Sequence, residues 1–313
     1  MSLADFFRLF PDDITAEALF EDIRWPDGTV CPHCDGNRIT RVKNRKPMPL
    51  RCKDCRRFFS VRYGTVMQDS NLGLQTWLLA FYLLTTGLKG TSSLKLRRDL
   101  GVTQKTAWFL AHRIREAMRQ DDPLFSGPVE ADETYIGGKE KNKHRDKRMK
   151  AAGGPVGKAI VAGVKDRDTG QIAARVVPDT TSDSLLGMVQ DHAEPGAMVY
   201  TDEAKGYLPL RRHGYGHEAV KHSVSEYVRD QAHPNGMESY WATLKRGYHG
   251  VYHSMSKEHL HRYVDEFQMR HNERPKDTIV QMAELIRRMD GRRLTYKELI
   301  ADGPRASRDR VAA

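Results

Sequence analysis

Residues 127–138 read "GPVEADETYIGG", an apolar run bounded by glycines that carries Asp132 behind its first buried positions. Turn residues at both ends and the apolar and β-branched positions between them predict a strand. Two more such segments follow, "GKAIVAGVKDR" (157–167) and "QIAARVVPD" (171–179), joined through "DRDTG", a good hairpin connection. "TSDSLLGMVQDHA" has helical character, "AMVYTDEAKGY" (197–207) is a fourth strand and "HEAVKHSV" (217–224) a weaker fifth. "HPNGMESYWATLK" (233–245) opens with loop residues and starts a long helix. Three meandering strands, a helix, two strands and a helix predict an α/β fold, a mixed sheet with helices packed on it.

Two of these strands end alike: "VEADETY" places Asp132, and "MVYTDEA" places Asp202, after an apolar stretch whose packing needs no acid. Either alone is an ordinary surface-turn acid. Glu238 changes the reading, because it opens the helix that follows the next strand, and this topology can bring three carboxylates together. Like charges so placed raise one another's pKa, a penalty that a divalent cation reverses. Oxygen ligands in this number suit Mg2+ or Mn2+. Two such ions roughly 3.5–4 Å apart support phosphodiester cleavage and strand transfer. Seven residues at about 100° each return Lys245 to within about 20° of the Glu238 face, about 10.5 Å further along the axis, where it and the adjacent Arg246 suit a neighbouring phosphate. Trp241 and Leu244 on roughly the same side put the acid at a buried margin, and Asn235 is the competing third ligand. Glu133 and Glu203 follow the two aspartates and, on strands, point to the opposite side, as outer-shell or surface groups.

All four cysteines fall in two Cys-x-x-Cys pairs, Cys31 with Cys34 and Cys52 with Cys55, with 17 residues between the pairs. That is the spacing of a zinc ribbon, in which four thiolates close a tetrahedral structural Zn2+ site. Redox dithiols are the alternative for each pair taken singly, and His33 is a substitute ligand that the cysteines make unnecessary. Residues 1–37 hold two basic and eight acidic side chains, and residues 38–62 ten basic and only Asp54. The basic group includes Arg38, Arg41, Lys43, Arg45, Lys46, Arg51, Lys53, Arg56 and Arg57, suited to phosphate contacts.

"LGLQTWLLAFYLLTTGL" (72–88) is apolar almost all round and predicts a buried helix. "TSSLKLRRDLGVTQKTAWFLAHRIREAM" then reads as a helix-turn-helix: Ser92 or Ser93 caps the first helix, Gly101 turns the chain and Thr103 caps the second, with an apolar stripe of Ala107, Leu110, Ala111 and Ile114. Gln104, Lys105 and Arg113 would face a major groove. An ordinary helical hairpin fits the same pattern. "DDPLFSG" (121–127) reads as a linker, "KEKNKHRDKRMK" (139–150) as a basic hairpin insertion, and "RASRDRVAA" as a disordered tail. His249, His253, His259 and His261 follow the lysine in structural or phosphate-contacting roles.

A net charge of +10 favours a polyanionic partner. No run of about 18 apolar residues exists and "MSLADFFRLF" has acids where a secretory signal needs bases, so a cytoplasmic, nucleoid-associated protein is expected, with no membrane partner. The expected organisation is a zinc-ribbon segment over 1–65, a helix-turn-helix module over 66–122, a catalytic domain over 127–275, and a helical segment with its tail over 276–313.

At "DETYIGGK", "VYTDEAKGY", "HPNGMESYWATLKRGYHGVYH" and "HLHRYVDEFQMRHN" the chain resembles DDE-type transposases of bacterial insertion sequences, in the subgroup with an amino-terminal zinc ribbon. The resemblance runs from Cys31 to about Asn272. It implies an RNase H-like catalytic domain, a metal-binding triad of Asp132, Asp202 and Glu238, and Lys245 as DNA contact. It also implies double-stranded DNA, transposon ends and target, as partner, and a homodimer or larger synaptic complex. Some relatives use Asn in third place, so Asn235 stays open beside Glu238. A non-catalytic DNA-binding regulator and a stand-alone nuclease are the competing readings.

Overall fold

The computed structural model describes residues 1–120, 123–138, 144–147, 156–202, 204–219 and 235–301. They form two compact units, Met1–Met118 together with the described residues from Pro275 onward, and Arg119–Arg274.

In the first unit α1 (Leu3–Leu9) and α2 (Asp13–Arg24) each begin with a capping box, Ser2 with Asp5 and Asp12 with Thr15. Three short antiparallel strands follow, β1 (Ile39–Arg41), β2 (Leu50–Cys52) and β3 (Phe58–Phe59). The apolar row becomes α3 (Leu74–Thr86), which encloses Trp77, Leu78, Phe81 and Leu84 completely. It is apolar all round because α2, α4 (Ser93–Leu100), α5 (Gln104–Met118) and α9 (Thr278–Arg288) all pack on it. The carboxyl-terminal helices, α9 and α10 (Tyr296–Ile300), therefore belong to the same unit as the amino-terminal modules. Arg24, its side chain 3% exposed, holds the two chain ends together through Asp290 at 2.7 Å.

The second unit is a five-stranded mixed sheet in the order β6-β5-β4-β7-β8. Its strands are β4 (Val129–Ile136), β5 (Ala159–Asp166), β6 (Ile172–Val177), β7 (Met198–Thr201) and β8 (Gly216–Ala219). The first three pair antiparallel, and β7 and β8 run parallel to β4, the mixed layout expected of an RNase H-like sheet. The predicted hairpin closes at Gly170, whose φ of 71° needs glycine and whose N–H reaches Asp166 O.

One face of the sheet is covered by α6 (Ser182–His192) and a 3-10 segment, Lys205–His213, around Val129, Ala131, Val189, Val199 and Tyr207. The other is covered by α7 (Asn235–Gly247) and α8 (Leu260–Glu273), around Val161, Met237, Trp241 and Phe267. Strand β6 is an open edge, and α8 covers it with side chains rather than a strand. Asn272 accepts from Ile172 N and donates to Ile172 O, and Gln268 accepts from Ala174 N.

The expected linker is corrected in its described part, 123–127. Phe125 is buried among the sheet residues and exchanges backbone hydrogen bonds with His192 and Glu194, since an aromatic ring there gains more from burial than from solvent. Most of the basic stretch 139–150 lies outside the described residues.

Helix α7 crosses β5 closely at Gly163, where a Cβ would stand 2.5 Å from Met237 Cε and 3.0 Å from Trp241 Cη2. Gly163→Val should cost about 1–3 kcal/mol through overpacking, measured as a lower denaturation midpoint, whereas Gly138→Ala, with open space around it, should be neutral.

Candidate active site

The ribbon is built from two equivalent loops. Cys31 N–H donates to Gly36 O at 3.0 Å and Cys52 N–H to Arg57 O at 3.0 Å, so each Cys-x-x-Cys pair wraps the same six-residue turn. Asp35 and Arg56 take left-handed φ values of 55° and 62° to close them. All four Sγ atoms lie within 4.8 Å of one another, with Cys31 and Cys55 at 3.6 Å and Cys34 and Cys52 at 3.7 Å. Zn–S bonds of about 2.3 Å in a tetrahedron separate sulfurs by about 3.8 Å, so the thiols fit a structural zinc with little movement. The Arg57 N–H holds the Cys55 thiol down to about 7, while burial raises Cys31 and, against the Gly36 N–H, the Cys55 sulfur raises Cys34. His33 is no part of this set: its ring lies tilted against Tyr63, centroids 4.2 Å apart, and it meets Arg57 through Nδ1.

The basic stretch beside the ribbon is partly neutralised. Glu21 and Glu17 on α2 pair with Arg41 and Arg45, and Asp54 takes Arg38 at 2.6 Å. The acid-rich start of the chain folds onto its basic continuation. Lys43, Lys46, Lys53, Arg56 and Arg57 remain exposed, and Arg51 lies over the Phe58 ring.

In the helix-turn-helix segment the predicted signals operate. Ser92 Oγ accepts from Lys95 N, Gly101 takes φ 65°, Thr103 Oγ1 accepts from Thr106 N, and Ala107, Leu110, Ala111 and Ile114 are buried. Gln104 is exposed and donates to Ser93 Oγ at 3.2 Å, and Lys105 is exposed over the Tyr296 ring. Arg113 is the exception. It is 5% exposed, bonds Gln68 O and sits over Trp77 and Phe109, and burial pushes its guanidinium down to about 10. Nine residues after Gln104 is two and a half turns, which points Arg113 away from the face that Gln104 presents.

The sheet brings the acids of the second unit together. Strands β4 and β7 are parallel neighbours with Val129 opposite Val199 and Glu130 opposite Tyr200. Asp132 lies two residues further along β4, and Asp202 follows Thr201 directly past the end of β7, so alternation carries both toward the face on which Glu130 and Tyr200 meet. Asp132 Oδ2 accepts from Trp241 Nε1 on α7 at 2.9 Å, and its Oδ1 accepts from Glu133 N. Glu238 is exposed in the first turn of that same helix.

Burial pushes the Asp132 carboxyl up to about 6; the Glu133 N–H and the Trp241 N–H oppose the rise, and the charges of Asp202 and Glu238 add to it. The three acids therefore share one electrostatic neighbourhood. Among the described residues only the four cysteines gather their ligand atoms within 4.8 Å, so the carboxylates stand more openly than the sulfurs. Neither the three carboxylates nor the later histidines form such a group among the described residues; the carboxylates differ in being hard oxygen donors, the type that Mg2+ and Mn2+ take.

Glu133 points to the opposite face, as alternation requires, but it is not a surface group. It accepts from Tyr207 Oη at 3.2 Å, and burial with the charges of Asp202 and Asp132 pushes it up to about 7. Glu203 and the side chain of Asn235 lie outside the described residues. Lys245 is exposed and lines an open groove of about 380 Å³ with Thr134, Lys158, Tyr248 and His249, and Arg246 is exposed beside it. Sequence reasoning missed the Trp241 bond to Asp132 and the bonds that Glu130 accepts from Gly236 N and Met237 N. Glu130 and Asp132 are two apart on one strand, and that spacing was the available signal.

Residues 124–272 match the ISXO2-like transposase domain, and residues 11–57 match the transposase zinc-ribbon domain. An uncharacterized protein in transposable element ISH50 of Halobacterium salinarum is 30% identical over 273 residues, covering 84% of this chain and 92% of that relative. An uncharacterized transposase-like protein of Haemophilus influenzae is 29% identical over 97 residues, covering 31% of this chain and 77% of that protein. Ribbon, mixed sheet and these relatives together define the class as a transposase of a mobile element. Within that class, the chain belongs to the family with the ISXO2-like transposase domain.

No helix among the described residues is long and apolar enough to cross a membrane. The ribbon chemistry leads to a direct expectation. Chelation should release about one zinc per chain and unfold the β1–β3 segment, since a module this small depends on its metal. An unchanged circular-dichroism spectrum and unchanged amide protection over residues 31–59 after chelation would contradict it.

Proposed function

We propose that this transposase binds the ends of its element through the ribbon and helix-turn-helix, and cuts and joins DNA at Asp132, Asp202 and Glu238. The observation that carries the reading is that Asp132, on β4, feels the charges of both Asp202, just past the end of the parallel neighbour β7, and Glu238, on the α7 helix bonded to Asp132 through Trp241. Mg2+ or Mn2+, when bound, would activate the attacking hydroxyl and stabilise the leaving oxygen of a phosphodiester.

The chain's own contribution is orientation. Trp241 and the Glu133 N–H fix the Asp132 carboxylate, and Lys245 in the groove gives an adjacent phosphate a cation. Gln104 and Lys105 are the side chains offered to a groove of double-stranded DNA, and Arg56 and Arg57 to its backbone. Two element ends must meet for joining, so a homodimer or larger synaptic complex on the nucleoid follows from this activity.

Asp132→Asn should lower Mg2+-dependent cleavage of end DNA by more than about a hundredfold, since removing even an outer-shell partner reaches that range, with DNA affinity unchanged. Cleavage that survives would sink the triad. Cleavage of pre-cut ends without joining would instead mark a nuclease. Replacing Arg57 with Ala should lower the slope of log affinity against log salt by about 0.9, the amount for one phosphate contact; an unchanged slope would remove the ribbon from the DNA interface.

A further inference from the structure

Two residues before each acid of the triad lies a member of a second group. Glu130 precedes Asp132 on β4, Tyr200 on β7 precedes Asp202 just past that strand's end, and Gly236 precedes Glu238 on α7. Glu130 and Tyr200 are direct partners in the sheet register. Glu130 is 6% exposed, and its carboxylate is fully occupied. Oε2 accepts from Gly236 N at 3.1 Å and from Met237 N at 3.3 Å, the free donors at the start of α7, and Oε1 accepts from Arg167 Nε at 3.0 Å. The Arg167 guanidinium lies 3.8 Å from the centre of the Tyr200 ring. Gly236 allows the approach: a Cβ there would meet Lys165 Nζ and would stand 2.7 Å from Glu130 Oε2.

We infer that Glu130, Arg167 and Tyr200 form a positioning layer beneath the triad, which fixes where Glu238 stands relative to Asp132 and Asp202. The inference rests on reading those three acids as the reactive set. A buried anion at a helix start stabilises both the helix and its direction of entry. Here the anion comes from the strand that bears Asp132, and its counter-ion leans on the strand that bears Asp202. One network thus ties together all three elements that carry the acids. The surface turn "DRDTG" contributes through its arginine, which makes Arg167 a positioning residue rather than a hairpin filler.

The test uses the full chain with Glu130→Ala, Glu130→Gln and Arg167→Gln, and Arg175→Ala as control, which breaks only the exposed pair with Asp191. Amide exchange at Gly236 and Met237 should quicken about tenfold or more in Glu130→Ala, since charge-assisted hydrogen bonds are lost. Mn2+ affinity by titration should fall about 10- to 100-fold, and kcat for end cleavage should drop with KM for DNA unchanged. Glu130→Gln, which keeps an acceptor oxygen, should recover part of each, and the control none of the losses. Should Glu130→Ala not fold, Arg167→Gln, which leaves Glu130 in place, is read by the same three measurements.

Unchanged exchange in both Glu130→Ala and Arg167→Gln overturns the clamp. Faster exchange with unaltered Mn2+ affinity and kcat overturns its positioning role and leaves a helix cap. Asp132→Asn that binds Mn2+ as well as the parent removes the triad reading itself, while the exchange rates still decide whether the clamp exists.

Discussion

The pairing of β7 against β4 is the constraint on which the site depends. Parallel neighbours share a register, and side chains alternate along a strand with a period of two. A slip of one residue would send Asp202 to the face of α6 and leave Asp132 alone beneath α7. The register is held on both faces. Val129 and Val199 are buried on one, and Glu130 meets Tyr200 through Arg167 on the other. Hydrophobic burial therefore sets the position of two acids that are themselves costly to bury.

That cost is visible in the acids. Burial raises Asp132 to about 6 and Glu133 to about 7, and their neighbours' negative charges add to the rise. Close packing of α7, permitted by Gly163, Gly236 and the indole bond of Trp241, holds Glu238 near this group although its own carboxylate faces solvent. Carboxylates clustered against their own electrostatics store an attraction for a cation, which is what the proposed cleavage chemistry would draw on.

In the amino-terminal unit the charges are distributed on a different principle. Net charge alone suggests a broad basic face. Instead Glu17, Glu21 and Asp54 neutralise three of the ribbon arginines, and the exposed cations that remain include Lys43 and Lys46 between β1 and β2 and Lys53, Arg56 and Arg57 on the second cysteine loop. Arg113 adds to the buried interior of α3 and α5 rather than to that face. A zinc ion held by the four thiols would give the ribbon the rigidity that its core of Leu50, Phe59 and the cysteines is too small to supply.

Local physics made much of this legible in the chain. Cysteine spacing fixed the ribbon, the Ser92, Gly101 and Thr103 signals fixed two helices and their turn, and apolar segments between turn residues marked β4 to β6 within a few residues and the start of β7, whose expected continuation to 207 is instead the start of the 3-10 segment. These features depend on neighbours in sequence, so the sequence alone determined them. What the tertiary structure decided involves partners far apart: Trp241 on Asp132, Glu130 on the start of α7, α2 acids on ribbon arginines, and α9 packed with the amino-terminal helices. Phe125 and Arg113 show the same limit, since a loop-like heptapeptide and a polar helix position each became core once another element arrived to cover them. Burial and long-range pairing are properties of the packed chain, and no local pattern encodes which partner will be there.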